Sequence, residues 1–281
     1  MHTHSSRSDG TDQPRELVAA ARAAGIDVLG ITDHDTTSGW NEARTALDEI
    51  SPNEPPLTLV CGMEFTTTYA GISVHLLGYL FDAEHPGIAG HIERLAQARA
   101  RRAQQIVEAL SADYPIAWEG VVEHAPDAQT VGRPHIADAL VSLGIVPNRS
   151  AAFATLLNHN GPYYVPTPSP STIEAISWII DAGGKAVLAH PKAASRGNSL
   201  PDEAIVDLAD AGLFGVELWH RDNPEPEREN LSKLIGRLGL RTFGASDYHG
   251  MGKPNRLGEN TTPESVYREL IDGTYMEVFP R

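Results

Sequence analysis

Short apolar runs alternate with stretches of helical periodicity over most of this 281-residue chain. Residues 26–32 (I-D-V-L-G-I-T), 57–65 (L-T-L-V-C-G-M-E-F), 72–80 (I-S-V-H-L-L-G-Y-L), 185–189 (K-A-V-L-A), 214–219 (F-G-V-E-L-W) and 241–245 (R-T-F-G-A) are of strand length and largely apolar. That is the pattern of strands covered on both faces. Helices are predicted between them, over 14–24, 38–50, 201–211, 224–238 and 263–271. Pro14 suits a first helical turn, Asp12 can cap it and Gly25 ends it. The run S-T-I-E at 171–174 is a capping box that opens a further helix, ended by Gly183-Gly184. Between residues 84 and 168 the alternation breaks. Residues 87–111 read as one long helix, with Ile88, Ile92, Leu95, Ile106 and Leu110 at helical spacing, and shorter helices follow over 132–144 and 149–157. The pattern predicts an α/β fold: a parallel barrel formed by residues 1–84 and 169–281, with an inserted α-helical cap at 85–168.

Polar residues recur where the apolar runs end. His2 and His4 lie two apart, a spacing that puts both imidazoles on one side of a strand. Histidines beside an initiator methionine also occur in affinity tags. The rest of the chain speaks against that reading, because Asp9, His34, Glu64, His75, His190, Asp247 and His249 recur at or near later strand ends. In a barrel of parallel strands, that end carries the active site. A buried glutamate is costly unless it is paired or bound to metal, so Glu64 is informative. His75, inside an apolar run, also fits a satisfied core histidine. Imidazole and carboxylate donors suit Zn, Mn or Fe. Nine such residues are too many for one tetrahedral ion and enough for two or three. Metals held that close together can clamp a phosphoryl group in transfer. The remaining histidines His85, His91, His124 and His159 lie in polar or cap segments and read as surface residues.

Composition narrows the class. The formal charge of −15 speaks against an extended nucleic-acid surface, which would carry a basic patch. Bound divalent ions would offset part of that charge. The lone cysteine, Cys61, cannot form an internal disulfide and fits a reducing compartment. No apolar run approaches the length that spans a membrane, and the N-terminus lacks a signal-peptide apolar segment. A cytoplasmic protein is expected.

The motifs M-H-T-H-S with S-D-G, T-D-H-D-T (32–36), G-M-E (62–64), V-H-L-L-G-Y (74–79), A-H-P (189–191), G-V-E-L-W-H (215–220) and S-D-Y-H-G (246–250) resemble, in order, those of the polymerase-and-histidinol-phosphatase (PHP) family. G-R-P-H-I-A (132–137) resembles the branch of small phosphatases that acts on nucleotides. The resemblance implies a distorted (β/α)7 barrel with two to three divalent metal ions. It makes His2, His4, Glu64 and Asp247 ligands of a first metal. Glu64 would bridge to a second metal completed by His75 and His190, and Asp9, His34 and His249 would form a third site. It also implies phosphomonoester hydrolysis by a hydroxide held between metals, with Glu64 and Asp247 in the catalytic set, to which His220 is added because it stands at a strand end. Family members usually carry a few apolar residues and an Asp before the first His, whereas Met1 alone precedes it here, so the first strand is expected to be very short.

Arg133, His135, Arg196 and His220 are candidate phosphate contacts, because an arginine fork matches phosphate oxygens. Arg196 also fits a solvated loop, and the basic run at 99–102 a solvated helix face. Asp33 and Asp35 flank His34 and are expected to orient it. The expected substrate is a small nucleotide, such as a nucleoside 3′,5′-bisphosphate, or a short oligonucleotide end. Histidinol phosphate, an amide substrate of a metal-dependent amidohydrolase, and a non-catalytic metal-stabilised module are the alternatives.

Overall fold

A computed structural model describes residues 1–51, 55–125, 131–158, 161–193 and 199–280, with backbone alone at 99 and 100. In chain order the elements are α1 (Pro14–Ala23), β1 (Val28–Ile31), α2 (Trp40–Asp48), β2 (Thr58–Tyr69), β3 (Ile72–Tyr79), α3 (Pro86–Ser111), α4 (Trp118–Val122), α5 (Arg133–Ser142), α6 (Arg149–Thr155), α7 (Thr172–Asp181), β4 (Lys185–Leu188), α8 (Asp202–Asp210), β5 (Gly215–Trp219), α9 (Glu225–Leu238), β6 (Arg241–Gly244) and α10 (Glu264–Ile271). The chain divides into two compact units, one of Met1–Ala89 with Ser169–Arg281 and one of Gly90–Pro168.

In the first unit the strands form a six-stranded sheet in sequence order, β1 to β6. β1 pairs with β2, β4 with β5 and β5 with β6 in parallel. The expectation of an all-parallel barrel needs correcting at β3, which runs antiparallel to both β2 and β4. The reason is local. Only Ala70 and Gly71 separate β2 from β3, both at positive φ (48° and 81°), which is the geometry of a two-residue hairpin turn. A connection that short cannot make the crossover a parallel pair needs.

The chain before β1 forms no named strand but hydrogen-bonds on both sides. The Thr32 amide donates to the Thr3 carbonyl at 2.9 Å, and the His4 amide donates to the Tyr248 carbonyl, beyond β6, at 2.8 Å. Gly30 permits this approach, since a Cβ there would stand 2.1 Å from the Met1 carbonyl oxygen.

Helices pack on the sheet: α7 on β2, β3 and β4, and α9 on β5 and β6. Val60, Leu77, Tyr79, Val187 and Phe243 belong to one buried apolar cluster of this unit.

The second unit has its own core, with Ile106, Leu110, Ile136, Leu140 and Leu157 buried together. Along α3 the buried stripe runs through Ile88, His91 and Leu95. His91 is therefore buried, not on the surface as its polar neighbours suggested, because the i, i+3, i+7 face of the helix takes it inward. His85 is half-buried, His124 is exposed and His159 lies outside the described residues. Arg102 is not simply solvated: its Nε donates to the Val165 carbonyl at 2.5 Å.

Candidate metal centre

The N-terminal segment presents alternate side chains to opposite sides. Thr3 turns away and its hydroxyl donates to the Gly30 carbonyl at 2.8 Å. His2 and His4 turn inward, and their Nε2 atoms stand 2.9 Å apart. Glu64 Oε2 lies 3.1 Å from His2 Nε2 and 3.0 Å from His4 Nε2. Asp247 Oδ1 lies 3.5 Å and 3.4 Å from the same two nitrogens. All four residues are buried.

The other oxygen of Glu64, Oε1, faces His75 Nδ1 at 2.8 Å and His190 Nε2 at 3.3 Å. A third group forms where Asp9 Oδ2 stands 3.8 Å from His34 Nε2 and Asp9 Oδ1 3.1 Å from His249 Nε2. His34 Nε2 in turn lies 3.3 Å from Glu64 Oε2. All nine donors singled out in the sequence therefore lie in one connected centre. His75 is among them rather than held apart in the core.

The donor set fits divalent metal. Ligand atoms about 2.0–2.2 Å from one ion stand about 3.0–3.6 Å from each other. The spacings around His2, His4, Glu64 and Asp247 run from 2.9 to 3.5 Å. His249 Nε2, which faces Asp9 Oδ1, is buried without a well-aligned hydrogen bond. Among the described residues, four His/Asp/Glu groups are close enough to hold an ion, all of them at this centre: His2, His4, Glu64 and Asp247; His34, Glu64 and His75; His4, Asp9, His34 and His249; and His220, Asp222 and Asp247. Burial would raise the Glu64 carboxyl, but His34, His2 and His75 outweigh it and hold it well below its ordinary value. Burial would lower His2, but Glu64, Glu217 and Asp247 outweigh it and raise it. Burial lowers His34 to about 4, with His4 and His75 adding to the effect against Glu64.

Backbone strain collects at this centre. Asp35, His190 and Asp247 have φ of 52°, 27° and 48°, a region that non-glycine residues avoid and that tends to mark functional sites.

The flanking aspartates do other work than expected. Asp33 accepts from the Ser5 amide at 2.7 Å and from the Ser5 and Ser8 hydroxyls at 2.8 Å, so it ties down the loop carrying Asp9 rather than His34. Asp35 accepts from the Thr66 amide and hydroxyl, both at 2.9 Å, and braces β2 two residues past Glu64.

His220 Nε2 lies 3.5 Å from Asp247 Oδ2, and its Nδ1 accepts from the Asp222 amide at 3.0 Å. The neutral ring then carries its hydrogen on Nε2, directed at the centre. Arg133 and His135 belong to the second unit. There Arg133 donates to the Leu157 carbonyl at 3.3 Å, and His135 Nδ1 accepts from the Gly132 amide at 3.0 Å at the start of α5. Arg196 lies outside the described residues.

Three residues near the centre were not foreseen. Asp222 forms a group with His220 and Asp247. Lys253 Nζ lies 3.4 Å from Asp247 Oδ2. Glu217, on β5, accepts from His2 Nδ1 and from the His190 amide, each at 2.9 Å. A signal for Glu217 was present, since it stands alone in an apolar strand as Glu64 does.

The PHP domain family matches residues 1–114. A 5′-3′ exoribonuclease of Haemophilus influenzae is 32% identical over 92% of this chain and 93% of its own length. The chain belongs to the PHP family. A 3′,5′-nucleoside bisphosphate phosphatase of Chromobacterium violaceum is 29% identical over 96% of this PHP chain and 95% of its own. A crystal structure from Bifidobacterium adolescentis, assigned as a metal-dependent phosphoesterase, superposes with a TM-score of 0.81 at 43% identity, covering 96% and 94% of the two chains. This PHP protein is an enzyme, a metal-dependent phosphoesterase.

Proposed function

We propose that the enzyme hydrolyses a phosphomonoester of a small nucleotide, a nucleoside 3′,5′-bisphosphate or a short oligonucleotide end, using two to three Mn, Fe or Zn ions. One observation carries the metal count. Glu64 turns its two oxygens to different histidine sets, Oε2 to His2, His4 and His34 and Oε1 to His75 and His190. A carboxylate so placed can be shared by two ions. His2, His4, Glu64 and Asp247 would hold the first, Glu64, His75 and His190 the second, and Asp9, His34 and His249 a third. When bound, the ions supply an activated water and offset charge on the phosphoryl oxygens. The chain's own groups do the rest. His220 Nε2–H and the Lys253 ammonium approach the outer oxygen of Asp247, and both are placed to donate to phosphoryl oxygens at that edge.

The substrate class rests on the relatives' names and on G-R-P-H-I-A. Arg133, the Nε2–H of His135 and Arg196 are the proposed contacts to the second phosphate. The N-terminal segment, hydrogen-bonded to β1 and to the chain beyond β6, is proposed to serve as the seventh strand of a closed barrel. With its single cysteine buried, the cytoplasm is the proposed location.

The test combines metal analysis of purified protein with phosphate release from four substrates: a nucleoside 3′,5′-bisphosphate, a plain mononucleotide, a 5′-phosphorylated oligoribonucleotide and histidinol phosphate. Two to three ions per chain, activity abolished by chelator and preference for the bisphosphate or the oligonucleotide end are expected. Full activity in chelator, or preference for histidinol phosphate, would overturn the reading.

A further inference from the structure

We propose that Glu217 is the positioning residue that makes the metal centre competent: it fixes the tautomer of His2 and holds the backbone of His190. The inference rests on the metal-dependent reading above and adds a residue to it.

Glu217 is 1% exposed and sits at the middle of β5; among the described residues it belongs to none of the groups of side chains close enough to share an ion. Its two oxygens have separate tasks. Oε1 faces His2 Nδ1 at 2.9 Å, so a neutral His2 that ligates metal would keep its hydrogen on Nδ1 and turn its Nε2 lone pair toward His4, Glu64 and Asp247. Oε2 accepts from the His190 amide at 2.9 Å, where the backbone holds a left-handed φ of 27°. One carboxylate thus governs a histidine in each of the two groups that Glu64 joins. The strand beneath is anchored in turn. Asn223 Nδ2 donates to the Glu217 carbonyl at 2.8 Å, and Asn223 Oδ1 accepts from the Lys192 amide at 3.0 Å.

The demand on residue 217 is two acceptors facing two N–H donors. Glutamate supplies both and glutamine supplies one. In a Glu217→Gln variant, an amide oxygen kept on His190 N–H turns the NH2 group toward His2 Nδ1. His2 must then accept there and carry its hydrogen on Nε2, where a metal needs the lone pair. The opposite amide orientation sets two N–H groups against each other at His190. Either way one of the two groups loses a donor.

Two measurements test this. The first is calorimetric titration of metal-free wild-type and Glu217→Gln protein with Zn²⁺ alone, with metal counted after gel filtration. The variant is expected to bind about tenfold to hundredfold more weakly, the usual cost of losing a partner that orients a ligand. Thermal melts of both metal-free proteins separate this from a folding defect. Equal affinity and stoichiometry in the two proteins would overturn the role of Glu217 and leave the phosphoesterase reading standing. Failure of the wild-type protein itself to bind Zn²⁺ would overturn both. The second measurement needs no variant: ¹⁵N NMR of the histidine rings in Zn²⁺-loaded wild-type protein. A protonated Nδ1 and a non-protonated Nε2 are expected for His2, and the reverse pattern would overturn the proposal.

Discussion

The centre has a closed half and an open half, and they are built differently. The side chains of His2, His4, Glu64 and Asp247 are at most 1% exposed, whereas those of His34, His75 and Asp9 are 18%, 23% and 52% exposed. The closed half is braced, since His2 Nδ1 donates to Glu217 Oε1 at 2.9 Å. In the open half His34 Nδ1 makes no hydrogen bond, and Asp9 hangs on a loop held through Asp33. Pre-organised donors that have already lost water and rotamer freedom bind an ion tightly. Exposed donors bind it less tightly but leave room for water and substrate. On the proposed function, the contrast predicts that the closed half holds metal the more tightly and that phosphate and solvent enter by the open half.

The largest effect should come from breaking the joint between the halves. Glu64→Gln is expected to lower metal content and kcat/KM together, activity by about a thousandfold or more, roughly 4 kcal/mol in the barrier. Metal counts beside steady-state kinetics check it, and a variant that stays active and fully loaded removes the bridge. A smaller loss should follow Asp9→Asn, which weakens the open half alone. We expect one ion fewer per chain and activity down by about tenfold to hundredfold, with the closed-half ion retained. Loss of all metal from that variant would erase the distinction between the halves.

If substrate enters by the open half, the metals bind the phosphoryl group and other residues must discriminate the remainder of the molecule. Arg133→Ala should lower kcat/KM on a nucleoside 3′,5′-bisphosphate by about tenfold or more, the worth of one charge-assisted contact, with metals still bound. Equal efficiency on mono- and bisphosphates, or an unchanged variant, would take Arg133 out of recognition.

The smallest expected effect is on pH dependence in the metal-free protein. Burial works against the charged forms of His2 and His4, but the neighbouring carboxylates outweigh it and raise both. Raised histidines contribute stability below the ordinary imidazole value and lose it as pH rises through their folded value. The thermal midpoint of stripped protein should therefore decline from about pH 7 upward, while Zn²⁺ affinity rises because protons no longer compete. His34, lowered to about 4, acts in the opposite sense at lower pH. Melting curves with and without Zn²⁺ across that range are the check. A midpoint of the stripped protein that climbs with pH would contradict the charge balance of the closed half.

Much of this was legible in the chain. All six strands were marked by apolar runs, because strands covered on both faces cannot afford polar interruptions. For the same reason Glu64 stood out. What escaped had weak local signals. α4, Trp118–Val122, is too short for a helical period to register. The hairpin at Ala70-Gly71 lacks the Asn-Gly signature of such turns, so the reversal of β3 went unread. Glu217 carried the same signal as Glu64 inside G-V-E-L-W, but nothing in the sequence says that its oxygens meet His2 and His190.

The sequence by itself determined the alternation of elements, the apolar strands and the polar residue types at their ends, since these follow from periodicity and from the cost of burying charge. Only the tertiary structure decided which donors meet. His2 and Asp247 lie at opposite ends of the chain, and their 3.5 Å approach depends on sheet order and register. The antiparallel β3, the strained backbone at His190 and the division into closed and open halves arise in the same way. They are properties of distances between segments far apart in sequence, which no local pattern encodes.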